Sequence, residues 1–199
     1  ALSSRPGDAI LKEKLGAYYG RRIRFDSAFE RGESFRYGLL NIGGTGAHRY
    51  GQFCAVLKAE FVQTDTLIAY LEGDSLNTYV PTESSFNETA LRQETVTHSH
   101  RHYFAALKHA SRLSTCSAHE WPGILCCSDD YMEAVFVKDV NAGSIDEVRV
   151  RESEYDRLFD LAFGDYTQKH DDATNALKAD FAVILRAAEF EKRFALKKV

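Results

Sequence analysis

Three residues into an otherwise apolar, β-branched and aromatic run, Tyr131-Met132-Glu133-Ala134-Val135-Phe136-Val137-Lys138, stands a glutamate. The run asks for a strand, and strand side chains alternate between faces. Tyr131, Glu133, Val135 and Val137 then share one face; Met132, Ala134, Phe136 and Lys138 share the other. A carboxylate on a mostly apolar face is costly to bury unless something pairs with it. Glu133 therefore reads in two ways: a strand-end residue at the rim, solvated or salt-bridged, or a catalytic carboxylate at the lip of a cleft.

The rest of the chain has to supply a sheet for that strand. At 199 residues and 44% hydrophobic, it can bury one good core, so a single domain over 1–199 with a helical C-terminal region 153–199 is expected. Asp8 to Tyr19 reads as a helix closed by Gly20, with Ile10, Leu11, Leu15, Tyr18 and Tyr19 at helical spacing. Arg21, Arg22 and Arg24 follow it, either as a solvated helix end favoured by the dipole or as an anion clamp.

Phe35 to Ile42 has strand character, and Phe53 to Leu57 is a continuous apolar run typical of a strand covered on both faces. Between them Gly43-Gly44-Thr45-Gly46 makes a glycine-rich loop. Such a loop can cradle phosphate with successive N–H groups, but no helix opens after it, so a hairpin connection is the plainer expectation.

Thr66 to Leu71 and the short Leu76 to Val80 read as strands, separated by the turn Glu72-Gly73-Asp74-Ser75. Thr82 to Glu94 is a polar excursion with a short helix, and Tyr103 to Leu113 a helix. Ile124 to Cys127 and Glu147 to Arg151 read as further strands. Ser153 with Asp156 resembles a capping box opening a helix that runs to Gly164, and a second helix spans about Asp171 to Lys197. The order predicts an α+β fold, a mostly antiparallel split β-core with helices at both ends.

Charge and composition exclude some functions. The net charge of −4, from 25 basic and 29 acidic residues, argues against a general electrostatic grip on nucleic acid or anionic membrane. No stretch approaches the roughly 18 apolar residues of a membrane span. Cys54, Cys116, Cys126 and Cys127 make no disulfide framework in a chain of this length, and residues 1–7 lack the apolar core of a signal peptide. A reduced, intracellular site of action is expected. His98, His100 and His102 would share a face on a strand and hold a metal there, with Cys116 and His119 as a second half-site; on a helix the three do not converge. No metal site is expected.

Glu133-Ala134-x-Phe136-Val137 after Tyr131, followed beyond a turn by Ile145-Asp146-Glu147-Val148-Arg149-Val150, resembles the catalytic-glutamate strand of NAD-dependent mono-ADP-ribosyltransferases. Upstream, Arg36-Tyr37-Gly38-Leu39-Leu40-Asn41, then Arg49-Tyr50-Gly51-x-Phe53-Cys54-Ala55-Val56-Leu57, then Gly73-Asp74-Ser75, resemble a little-characterised bacterial family of the same fold. The matching covers about a third of the chain. The resemblance implies an enzyme that transfers ADP-ribose from NAD to a macromolecular acceptor and releases nicotinamide, as a bacterial toxin or effector that acts in the cytoplasm after secretion or delivery into a target cell.

It further implies that Glu133 orients the ribose and stabilises the oxocarbenium-like state as nicotinamide leaves, and that NAD lies between the 36–57 strands and the 131–138 strand. Arg36 or Arg24 would grip the pyrophosphate; Tyr37 and Tyr50 would stack on nicotinamide; Gly38, Asn41 and Tyr131 would line the site. Tyr131 stands where arginine-modifying members have Glu or Gln, which leaves another amino acid or a nucleobase as acceptor. Two other classes stay open: a non-catalytic module of the same fold that docks a protein partner through the 171–199 helix, and a metal-dependent hydrolase built on His98–His102, Cys116 and His119.

Overall fold

The run around Glu133 does form a strand, Glu133–Phe136, buried along its whole length. The structure is a computed structural model and describes residues 8–63, 68–126, 130–163 and 197–198. These divide into two compact units, each assembled from three separated stretches: residues up to 40, 65–115 and 131–139 in unit 1, and 41–64, 116–130 and from 140 onward in unit 2.

Unit 1 begins with α1 (Asp8–Leu15) and α2 (Tyr19–Asp26). The break between them falls at Gly16, whose φ of +51° only glycine adopts readily. Gly20, the residue expected to close the helix, lies inside α2. Strand β1 (Arg36–Leu39) follows, and the chain returns to this unit as β3 (Ile68–Leu71). Leu76 to Val80, expected as a strand, is instead the C-terminal part of α4 (Ser75–Tyr79) and its cap. The reason is Asp74, whose carboxylate accepts from Leu76 N and Asn77 N and so starts a helix where the hydrophobic pattern alone suggested a strand. Arg21 closes the other end of α4, donating to the Val80 carbonyl at 2.5 Å and to the Leu76 carbonyl.

Then come α5 (Glu88–Glu94), capped by Asn87, β4 (Val96–Thr97), α6 (Arg101–Lys108) and α7 (Ala110–Leu113). The last two divide the expected 103–113 helix at His109, which is fully buried. With β5 (Glu133–Phe136), the strands form one antiparallel sheet in the order β1-β5-β3-β4.

Register fixes the faces. Leu39, Glu133 and Leu71 lie side by side, as do Tyr37, Val135 and Ala69, so these six share a face. Arg36, Phe136 and Ile68, with Gly38, Ala134 and Tyr70, share the other. Glu133's face carries a core cluster whose buried residues include Phe25, Leu71, Leu76, Tyr79, Val80, Leu91 and Val135. Each such side chain contributes about 1.5–3 kcal/mol of transfer free energy. Ile68, Tyr70, Ala134 and Phe136 on the other face are buried too.

Unit 2 holds β2 (Cys54–Leu57), α3 (Ala59–Gln63), α8 (Trp121–Leu125), β6 (Ile145–Val150), α9 (Glu152–Phe163) and β7 (Lys197–Lys198). Its sheet runs β2-β6-β7, antiparallel then parallel. The alternation in β6 is literal: Val148 and Val150 are buried, Glu147 and Arg149 only half so.

Three further expectations are corrected. β1 and β2 do not make a hairpin across the glycine loop, because β1 pairs with β5 and β2 with β6. β2 is half-exposed rather than covered on both faces. Ile124 and Leu125 end a helix, not a strand, since Pro122 sits in its first turn, where its missing N–H costs nothing. The expected helix from Asp171 lies outside the described residues except for Lys197, which is in β7. The described elements make an α+β protein whose two sheets pair mostly antiparallel.

Candidate functional site

Glu133 sits at the start of the central strand, on the core face of unit 1, and only 5% of it is exposed. Two helices converge on it. The N-terminus of α4 presents the Ser75 N–H, which donates to Glu133 Oε2 at 2.8 Å. From α2, Arg22 brings Nη2 to 3.8 Å from Oε1, an ion pair too long to be a hydrogen bond. Asp74, capping α4 with one carboxylate oxygen, accepts the Tyr131 hydroxyl with the other at 3.1 Å.

Arg22 is the pivot of the cluster. It is buried, its Nη1 stands 4.0 Å from Asp26 Oδ1, and its guanidinium lies over the Tyr37 ring, 3.5 Å from the centroid. Nη1 has no hydrogen-bond acceptor among the described residues. Asp26 in turn accepts the Tyr37 hydroxyl. One guanidinium thus faces two buried carboxylates, Asp26 and Glu133, in an otherwise apolar core.

The electrostatics follow. Burial pushes the Glu133 carboxyl up from 4.5 to about 7, against the lowering influence of Ser75, whose N–H donates to it, and of Arg22; Asp74 adds to the rise. Burial likewise drives the Tyr37 hydroxyl far above its usual range, so it stays a neutral donor. A carboxyl poised near neutrality can give or take a proton, and a desolvated carboxylate can stabilise a cation beside it.

The same sheet face carries a cavity of about 380 Å³, lined by Phe25, Phe29, Phe35, Leu71, Val135 and Arg92 among others. Leu71 is the register partner of Glu133 and Val135 the next residue on its face, but Glu133 itself does not line the cavity. That volume is at the low end for ligand pockets, of order 300–1,000 Å³; it accommodates one ring system, not a dinucleotide.

The structure places the expected site residues unevenly. Glu133, Tyr37 and Tyr131 belong to the cluster just described. Arg36 does not: it lies on the opposite face of β1, exposed, with Nη2 bonded to Asp139 Oδ1 at 2.5 Å. Gly38 is on that face too, and Arg24 is exposed. Asn41 and Tyr50 belong to unit 2. Asn41 braces the glycine loop, its Oδ1 accepting from Gly43 N and Gly44 N at 2.9 and 2.8 Å, which occupies the N–H groups a phosphate would need. Tyr50 is 62% exposed and bonded to Arg49. A cleft between β1 and β5 is ruled out by their direct hydrogen-bonded pairing.

Sequence reasoning grouped Arg22 with Arg21 and Arg24 without singling it out, did not name Asp26, and read Ser75 as part of a turn. The signal for the first two was present, an Arg and an Asp four apart on a helix beside Phe25; Ser75 depends on recognising Asp74 as a helix cap rather than a turn residue.

His98 bonds the Tyr70 hydroxyl and His100 contacts Thr97 and Ser99; among the described residues no three His, Cys, Asp or Glu side chains assemble as a metal would require. No described helix is long and apolar enough to cross a membrane. In comparison with family models, curated proteins and solved structures, the chain matches none.

Proposed function

We propose that unit 1 is an ADP-ribosyltransferase-like catalytic domain that uses NAD as substrate, breaks its nicotinamide–ribose bond and passes ADP-ribose to a protein or nucleic-acid acceptor, in the manner of a toxin or effector. The observation that carries the reading is Glu133 itself: a carboxyl on the central strand, buried, with its pKa raised to about 7, and matched with a guanidinium that has a donor unoccupied among the described residues. Perturbed acids of this kind concentrate at functional sites. In this reading the ionised Glu133 hydrogen-bonds the ribose and stabilises the positive charge that develops as nicotinamide leaves. Arg22, rather than Arg36, supplies the basic group, and Tyr37 fixes the plane of its guanidinium.

At 5% exposure Glu133 is closed to a dinucleotide, so NAD must displace the side chains over it on binding. Affinity is then reduced by the fraction of molecules that are open. Incubation of the protein with NAD, with nicotinamide measured by chromatography, is expected to show release that falls at least about a hundredfold in Glu133→Gln. Calorimetry with NAD and a non-hydrolysable analogue supplies the binding arm. No release and no binding by the wild type sinks the proposal.

The closed carboxylate also favours a second reading, a non-catalytic module in which the cluster is structural. In that case Glu133→Gln changes stability and nothing else, and the partner would dock on the 171–199 segment, which lies outside the described residues.

A further inference from the structure

Unit 2 has polar chemistry that the proposed NAD site does not use. Two thiols touch one amide: Asn41 Nδ2 donates to Cys54 Sγ at 3.3 Å, and Cys126 Sγ donates to Asn41 Oδ1 at 3.4 Å. Cys54 is half-buried on β2, directly opposite Arg149 of β6; Cys126 is buried at the end of α8. Both sulfurs are reduced, and they lie near enough that a charge on Cys126 acts on Cys54.

The amide they share holds the glycine loop. Asn41 Oδ1 accepts from Gly43 N, Gly44 N and Arg149 Nη1, while Nδ2 also donates to the Gly44 carbonyl at 2.9 Å. The loop is seated hard on one of the thiols, since a Cβ at Gly44 would lie 2.7 Å from Cys126 Cβ.

We propose that Cys54 and Cys126 are a modification site, joined into a disulfide by a peroxide, and that joining them frees the 43–46 loop from Asn41. The half-buried Cys54 reacts first. Its thiolate attacks the O–O bond, forming a sulfenic acid and releasing water. Cys126 then attacks that sulfur, the S–S bond forms and a second water leaves. Two thiols are oxidised by two electrons, the peroxide is reduced to two waters, and both thiol protons end in water. Drawing the two sulfurs to about 2.05 Å from each other breaks the contacts that each now makes with the Asn41 amide. Burial raises the Cys54 thiol above its ordinary value, so the reaction accelerates with rising pH.

The test uses the full chain and hydrogen peroxide, followed by alkylation and a non-reducing tryptic map. The expected product links peptide 50–58, containing Cys54, to peptide 113–138, lighter by two hydrogens than the separate thiols. Because 113–138 also contains Cys116 and Cys127, the map is repeated on the Cys116→Ser/Cys127→Ser double variant, where the link persists. Cys126→Ser abolishes it. Hydrogen exchange at Gly43 and Gly44 is expected to quicken about tenfold in the oxidised protein, as befits the loss of one hydrogen bond each. A link that vanishes in the double variant, or oxidation that stops at sulfenic or sulfinic acid, overturns the pairing. Unchanged exchange overturns the release of the loop.

Discussion

An ordinary glutamate releases its proton near 4.5, whereas Glu133 keeps its proton to about 7. Between those values the folded protein binds a proton that the unfolded chain has released. The sign is fixed: stability from this group is complete below about 4.5, falls as pH rises through the window, and is flat above about 7, by at most about 3 kcal/mol. In Glu133→Gln this component disappears. Denaturant titrations at pH 5 and pH 8 are therefore expected to show wild type losing stability relative to the variant as pH rises, and equal pH dependence of the two would show that the acid is not perturbed. At this scale the sequence was partly legible. Glu133 was visible because a carboxylate interrupting an apolar strand is conspicuous. Arg22 was not, because three arginines stood together and only the fold shows which of them turns inward; alternation along β1 does put Arg36 on the wrong face, but that follows only once the pairing of Leu39 with Glu133 is known.

At the scale of elements, the Glu133 cluster depends on a cap. Asp74 starts α4 and anchors Tyr131, so Asp74→Ala is expected to cost about 1–2 kcal/mol, measured by thermal or urea unfolding, while Asp74→Asn keeps most of the cap. An Asp74→Ala protein as stable as wild type would mean that the carboxylate does not cap α4. Strands with strong alternation or β-branched runs were readable from the pattern: those read at 131–138, 147–151 and 66–71 stand at 133–136, 145–150 and 68–71, the short helix within 82–94 at 88–94, and the helix read from Ser153 begins at Glu152. The failures share a physical cause. Leu76–Val80 and Ile124–Leu125 are short apolar runs that a strand or a helix serves equally well, and a single capping Asp or first-turn Pro decided each.

At the scale of the whole molecule, the chain weaves between its units, so neither is a contiguous piece. The continuous order of elements in the sequence hid this, because which strands pair is a long-range property: β1 finds its partner about a hundred residues away, in β5. A chain ended after Asp139 keeps every strand of the first sheet but deprives β2 of β6. An unpaired strand edge invites association, and such a truncation is expected to elute as aggregates on size exclusion where the full chain does not. A monodisperse, stably folded product would show that β2 does without its partner.

Arg21 on the tail of α4 carries a last implication. A helix of five residues is far below the roughly 12–15 needed to persist alone. Its existence is borrowed, from Asp74 at one end and from α2 at the other. Since the neighbouring Arg22 reaches Glu133 from that same α2, a roll of one helix about its axis would slacken the Ser75 bond and the ion pair together. The proton affinity of Glu133 is thus mechanically geared to the seating of α2.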